Sequence, residues 1–107
     1  MATKAIVFGM ANPTPEIMPN EAHDAGAFIV ASGRSDYPNQ INNVLAFPGV
    51  FKGLLHCKAK SVTTKMKIAV AEAIAGLVKS PSVDKIIPAP FDEGIADAVA
   101  DAICESV

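Results

Sequence analysis

Two short apolar runs, Ala5-Ile6-Val7-Phe8 and Ala27-Phe28-Ile29-Val30-Ala31, each end in a polar, turn-rich segment. The first is followed by Ala11-Asn12-Pro13-Thr14-Pro15-Glu16 and the second by Ser32-Gly33-Arg34-Ser35-Asp36. Unbroken apolar runs of this length predict strands at 5–9 and 27–31 of the kind buried in a parallel sheet. Between them, Pro19 with Asn20 and Glu21 suits a helix start and Gly26 suits its stop, so a short helix is expected near 19–25. Residues 5 to 31 then form a strand-helix-strand unit with a right-handed crossover.

Beyond the second loop (32–39) the pattern becomes helical. A helix is expected from about Gln40, kinked or broken at Pro48-Gly49 where proline removes a backbone donor. Met66, Val70, Ile74 and Leu77 fall at helical spacing behind Thr63, which predicts a capped helix near 63–79. An extended stretch follows. A last helix near 93–106, with Asp92 as its cap, carries Ile95, Val99 and Ile103 on its apolar face. The acidic series Asp97, Asp101 and Glu105 has the spacing of a carboxylate array, but on a terminal helix it reads as a solvated face. The fold class is α/β.

In a parallel α/β sheet the ligand crevice lies outside the carboxyl ends of the strands. The side chains placed there are Asn12, Ser32, Arg34 and Asp36. Asn12 precedes a proline, which holds it to extended backbone conformations. Its amide carries both a donor and an acceptor, suited to a hydroxyl, a carboxylate or a carboxamide; the competing role is an Asx turn that ties its own loop. Ser32 and Gly33 stand where a cofactor could approach the backbone closely. Arg34 is either an anion clamp or the partner of Asp36 in a local ion pair, and the pair is favoured. Asn42 and Asn43 fall in the first turn of the helix expected from Gln40, where free backbone donors and the helix dipole favour an anion.

Those two strand ends, together with Ser32-Gly33-Arg34-Ser35-Asp36-Tyr37-Pro38-Asn39-Gln40-Ile41-Asn42-Asn43-Val44-Leu45-Ala46-Phe47-Pro48-Gly49, closely resemble the C-terminal part of bacterial-type malic enzymes. The resemblance runs from Ala5 to the last helix. It implies a partial Rossmann-like unit of two parallel strands (1–39) followed by a helical C-terminal part (40–107), the end of an NAD-binding domain. It also implies an oxidoreductase that converts malate to pyruvate and carbon dioxide with NAD or NADP and a divalent metal, Mg or Mn. By the same resemblance Asn12, Asn42 and Asn43 would contact malate, and Asn12, Ser32, Gly33 and Asn43 the cofactor. Of the neighbouring Asn42 and Asn43, one is expected to face the ligand and the other to support it.

The family's glycine fingerprint, its catalytic lysine and tyrosine and its metal carboxylates all precede the matched part, and no G-x-G-x-x-G occurs here. The chain therefore reads as a fragment without catalytic or metal-binding residues of its own, inactive alone and joined to the N-terminal part of the same enzyme. A malolactic-type enzyme, or a stand-alone half-domain that assembles with another chain, is the alternative. Choosing between NAD and NADP would require residues outside the matched part.

Composition narrows the partners. Half of the 107 residues are hydrophobic, 19% are charged, and the net charge is -2 with nine scattered bases. That argues against nucleic acid and anionic membranes and is a high apolar load for a small body, as in a chain cut from a larger core; because two parallel strands leave an edge and an apolar face open, a homo-oligomer is expected. No stretch has the length of a membrane span and the N-terminus lacks a signal-peptide pattern, so a cytoplasmic location is expected. On that basis Cys57 and Cys104 are expected to remain unbridged thiols. His56 and Cys57, pointing roughly 100° apart on a helix, are not expected to share a ligand.

Overall fold

The computed structural model describes residues 1–107. The chain divides into two units, one of Met1–Asn42 with Ser80–Ile87, the other of Asn43–Lys79 with Pro88–Val107.

The first unit is built on strand β1 (Ile6–Gly9), helix α1 (Pro19–Asp24) and strand β2 (Ile29–Ser32). The strands pair in parallel, with Ile6 opposite Ile29 and Gly9 opposite Ser32. Proline in the first turn opens α1, and Gly26, at φ 105°, ends the run in the left-handed region that glycine adopts without steric cost. The helix lays Ala22 against Ala27 and Val30, with Val7 and Ile17 packed around them. Only one face of the sheet is covered in this way. Ile6 is 63% exposed and Phe8 49%, although their run has the composition of a strand buried on both sides.

The helix expected from Gln40 does not form. Backbone groups of Ser32 take up the segment that follows: Ser32 N–H donates to Asn39 O and Ile41 N–H donates to Ser32 O, which holds Gln40 as a parallel bridge partner of Ser32. Residues bound to a strand in this extended form cannot close helical hydrogen bonds. Helix begins in the second unit with a 3₁₀ turn at Asn43–Leu45, followed by α2 (Phe47–His56). Pro48 lies in the first turn of α2, where its missing N–H costs nothing, so it opens the helix rather than kinking it.

Helix α3 (Thr64–Gly76) is capped as expected, with Thr63 Oγ1 accepting from Met66 N–H at 3.2 Å, and it buries Met66 and Val70. Helix α4 (Ile95–Glu105) buries Ile95, Val99 and Ile103 as its periodicity predicts. Its N-cap, however, is Gly94 at φ 83°; Asp92 Oδ2 instead accepts from Ala89 N–H within the preceding turn. Asp97, Asp101 and Glu105 face solvent, and Asp97 forms an ion pair with Lys52.

The expectation of two unbridged thiols is overturned. Cys57 and Cys104 form a disulfide with their Cα atoms 5.6 Å apart. Close packing of α2 on α4 is the reason. A Cβ built on Gly49 would stand 2.5 Å from Val99 Cβ, and one on Gly53 2.8 Å from Ile103 Cβ, so only glycine permits the approach. Two cysteines separated by 47 positions thus meet through tertiary packing that no spacing along the chain announces.

Candidate functional site

The carboxyl ends of β1 and β2 open on one cavity of ≈ 400 Å³, lined by Asn12, Pro13, Gly33, Arg34, Ser35 and Asp36. The loop after β1 is shaped by its own side chains. Glu16 Oε1 accepts from Ala11 N–H at 2.9 Å, closing the loop on itself, and that bond holds the Glu16 carboxyl below its ordinary pKa. Pro15 is buried against Gly9. Between these anchors stands Asn12, exposed, at a cis peptide bond to Pro13.

Asn12 is seated on Gly33. A Cβ added at Gly33 would fall 2.5 Å from Asn12 Oδ1, inside any normal contact, so the absence of a side chain there makes room for the amide. The two loops therefore interlock at the pair that the sequence placed at separate strand ends.

The second loop is fixed from below and from within. Ser32 is 1% exposed, and its Oγ accepts from Arg34 N–H at 3.3 Å. Gln40 Nε2 donates to Gly33 O at 3.3 Å, which engages the Gly33 carbonyl. Arg34 and Asp36 form the expected pair in fork geometry, Nε to Oδ1 and Nη2 to Oδ2, both at 2.8 Å. The hydrogen bond from Arg34 lowers the Asp36 pKa, and the same bond raises that of Arg34. Tyr37 lies under the guanidinium, 5.9 Å from centroid to Cζ. Arg34 is thereby engaged in holding the loop's shape.

Asn39 escaped notice in the sequence and organises the whole unit. It is buried, at φ 59°, in the left-handed region that asparagine tolerates better than most residues. Its Nδ2 donates to Val30 O at 3.1 Å and to Val83 O at 2.8 Å, while Oδ1 accepts from Ile86 N–H at 2.9 Å. One side chain so ties β2 to the returning segment Ser80–Ile87. The Pro38-Asn39 dipeptide was its only local signal.

Of the remaining asparagines, Asn42 closes the first unit and Asn43 opens the second, as first residue of the 3₁₀ turn; both are exposed. With α2 starting at Phe47, the helix-dipole argument for an anion at this pair loses its footing, since a three-residue turn carries no macrodipole of consequence. No group of three or more His, Cys, Asp or Glu that could hold a metal ion is assembled, so these residues do not fit a metal centre. No helix is long and apolar enough to cross a membrane.

Comparison with known proteins supplies the wider frame. Residues 1–106 match the family model described as malic enzyme, NAD binding domain. The chain is 56% identical over 108 residues to a bifunctional malic/malolactic enzyme of Bacillus subtilis, covering 99% of this chain and 26% of that protein. It is 47% identical to an NAD-dependent malic enzyme of Geobacillus stearothermophilus, covering 99% of this chain and 22% of that protein. Among solved structures, a malic enzyme from Pyrococcus horikoshii superposes with a TM-score of 0.95 at 54% identity, over 98% of this chain and 24% of that one. An NAD-dependent malic enzyme from Thermotoga maritima superposes at 0.92 with 46% identity, over all of this chain and 28% of that one. The chain thus spans about a quarter of the length of the relatives it matches. With its two parallel strands, its helices and a family model covering all but one residue, this chain belongs to the malic enzyme NAD-binding domain family.

Proposed function

We propose that this chain forms the C-terminal part of an NAD(P)-dependent malic enzyme, which oxidatively decarboxylates malate to pyruvate and carbon dioxide. Its share is the asparagine wall of the malate and nicotinamide pocket. The observation that carries this reading is Asn12 seated on Gly33 at the carboxyl ends of both strands. An exposed amide held in place at the mouth of the cavity offers both a donor and an acceptor, the combination a carboxamide and a hydroxyl both require. In this reading Asn12 contacts substrate and nicotinamide, Gly33 borders the cofactor and makes room for the Asn12 amide, and Ser32 acts from beneath by fixing the Gly33 turn. By the family resemblance, Asn42 and Asn43 are assigned to malate and Asn43 also to the cofactor.

When bound, the dinucleotide would accept a hydride from the carbon bearing the malate hydroxyl. The residues of this chain bind and orient; none is placed to move a proton or to hold Mg or Mn, whose ligands belong to the N-terminal part of the enzyme. Orientation alone can be worth several kcal/mol of barrier, on the order of 7–11 at its limit.

The malolactic outcome is a second reading, favoured by the 56% identity to the Bacillus subtilis protein described as bifunctional. Supplying malate, divalent metal and NAD or NADP to the longer protein that contains this chain separates the two: pyruvate with reduced cofactor supports the malic reading, lactate the malolactic one. The 107-residue chain alone is expected to yield neither. Reduced cofactor formed from malate by the chain alone contradicts the proposal.

A further inference from the structure

A four-residue rhythm of small residues runs along α2 and its C-cap, Gly49, Gly53 and Cys57, and along α4, Ala96, Ala100 and Cys104. A Cβ on Gly49 would lie 2.7 Å from Ala96 O, and one on Gly53 2.9 Å from Ala100 O. The two series advance together, so the helices run parallel in matched register. The next step along both is Cys57 opposite Cys104, at a Cα separation of 5.6 Å that lies within the span of a disulfide.

Both cysteines are half-buried, and the difference between them is a cavity: Cys104 lines an opening of ≈ 320 Å³ with Lys52, His56, Asp97, Ala100 and Asp101, whereas Cys57 is not part of its wall. Lys52 is paired with Asp97, which leaves Asp101 and the His56 imidazole as the other polar groups there. Such an opening gives a small thiol room to reach the Cys104 end of the bond.

We propose that Cys104 is the site at which small aliphatic thiols exchange with the Cys57–Cys104 disulfide. The thiolate of the small molecule bonds to Cys104 Sγ, the bond to Cys57 breaks, and Cys57 leaves as a thiolate that takes a proton from water. A second thiol attacks the mixed disulfide, releasing the small-molecule disulfide and the Cys104 thiolate, which is protonated in turn. Two thiols are oxidised to one disulfide and the protein disulfide is reduced to two thiols.

The test exposes the chain, purified without reductant, to 2-mercaptoethanol for short intervals, quenches with acid and maps the adduct by mass spectrometry under non-reducing conditions. The mixed disulfide is expected on Cys104 in roughly fivefold or greater excess over Cys57, with the excess lost in guanidinium, because access rather than intrinsic reactivity selects the sulfur. An adduct equal on both or chiefly on Cys57 overturns the assignment, as does an excess on Cys104 that persists in denaturant. Quantitative alkylation of both cysteines by N-ethylmaleimide before any thiol is added overturns the disulfide itself.

Discussion

Asn12 rests against the backbone of Gly33, with its Oδ1 occupying the space where any larger residue at Gly33 would place a Cβ. The relationship joins the loops after two different strands and directs an exposed amide into the cavity between them. Gly33→Ala must therefore move Asn12 or the turn. In the intact enzyme this substitution is expected to lower kcat/KM for malate about tenfold or more, the equivalent of ~1.4 kcal/mol or more of misplaced contact, while the far-ultraviolet circular dichroism is unchanged. Wild-type kinetics in Gly33→Ala would show that the amide has no fixed position to lose.

Asn39→Ala is expected to destabilise the first unit. Three hydrogen bonds disappear, two backbone carbonyls and one N–H lose their partner, and the left-handed backbone is left to an alanine. Unsatisfied buried groups of this kind cost about 1–3 kcal/mol each, and partial access to water brings the expected total to about 2–4 kcal/mol. Chemical denaturation of the chain and its variant measures it; a loss under about 0.5 kcal/mol, the range of ordinary surface changes, would deny Asn39 its organising role.

The loop that carries Asn12 is expected to loosen in acid. Glu16 has its pKa lowered by the Ala11 N–H bond, so the folded carboxyl releases its proton more readily than the unfolded one. A lowered folded pKa adds stability that is fully present above the ordinary carboxylate range and disappears as pH falls through the folded value. Carboxyl-carbon NMR should therefore show Glu16 titrating below a reference glutamate, with the Ala11 amide shifting in step. Glu16→Gln should remove the Ala11 response. A Glu16 titration at the reference value would contradict the bond.

Ile6, Phe8, Met10 and Phe28 are all more than two-fifths exposed on or beside a sheet of only two strands, which leaves an apolar face and an open hydrogen-bonding edge. Such a sheet is too small to stand unsupported, and the isolated chain is expected to self-associate. Light scattering at micromolar concentration should report a mass above that of the monomer. A monodisperse monomer with cooperative unfolding would show that this face is tolerated in water.

What could be read from the sequence was local. The two strands, the start of α1 at Pro19 and its stop at Gly26, the Thr63 cap and the Ile95, Val99 and Ile103 stripe depend on residues within a turn or two of one another, and all are found. The Arg34–Asp36 pair, two positions apart, belongs with them. Misreadings arose where a distant partner decides. Gln40 looked helical until the backbone of Ser32 claimed its neighbours, and Pro48-Gly49 looked like a break because glycine's packing against Val99 is invisible in one dimension. Asp92 has the composition of a helix cap but spends its carboxylate on the turn at Ala89. Asn39, whose partners lie up to 47 positions away, and the Cys57–Cys104 bond left no periodic trace at all. Asn12 and Gly33, the residues proposed for the site, were each visible as loop residues at a strand end; their contact was not.

The central claim, that asparagines of this chain hold malate and nicotinamide, is tested most directly by steady-state kinetics of the intact enzyme carrying Asn42→Ala or Asn43→Ala. At least one of the two is expected to lose ~2–3 kcal/mol of transition-state stabilisation in kcat/KM for malate, the size of a lost hydrogen bond to a charged group. Wild-type kcat and KM in both variants would contradict the asparagine wall.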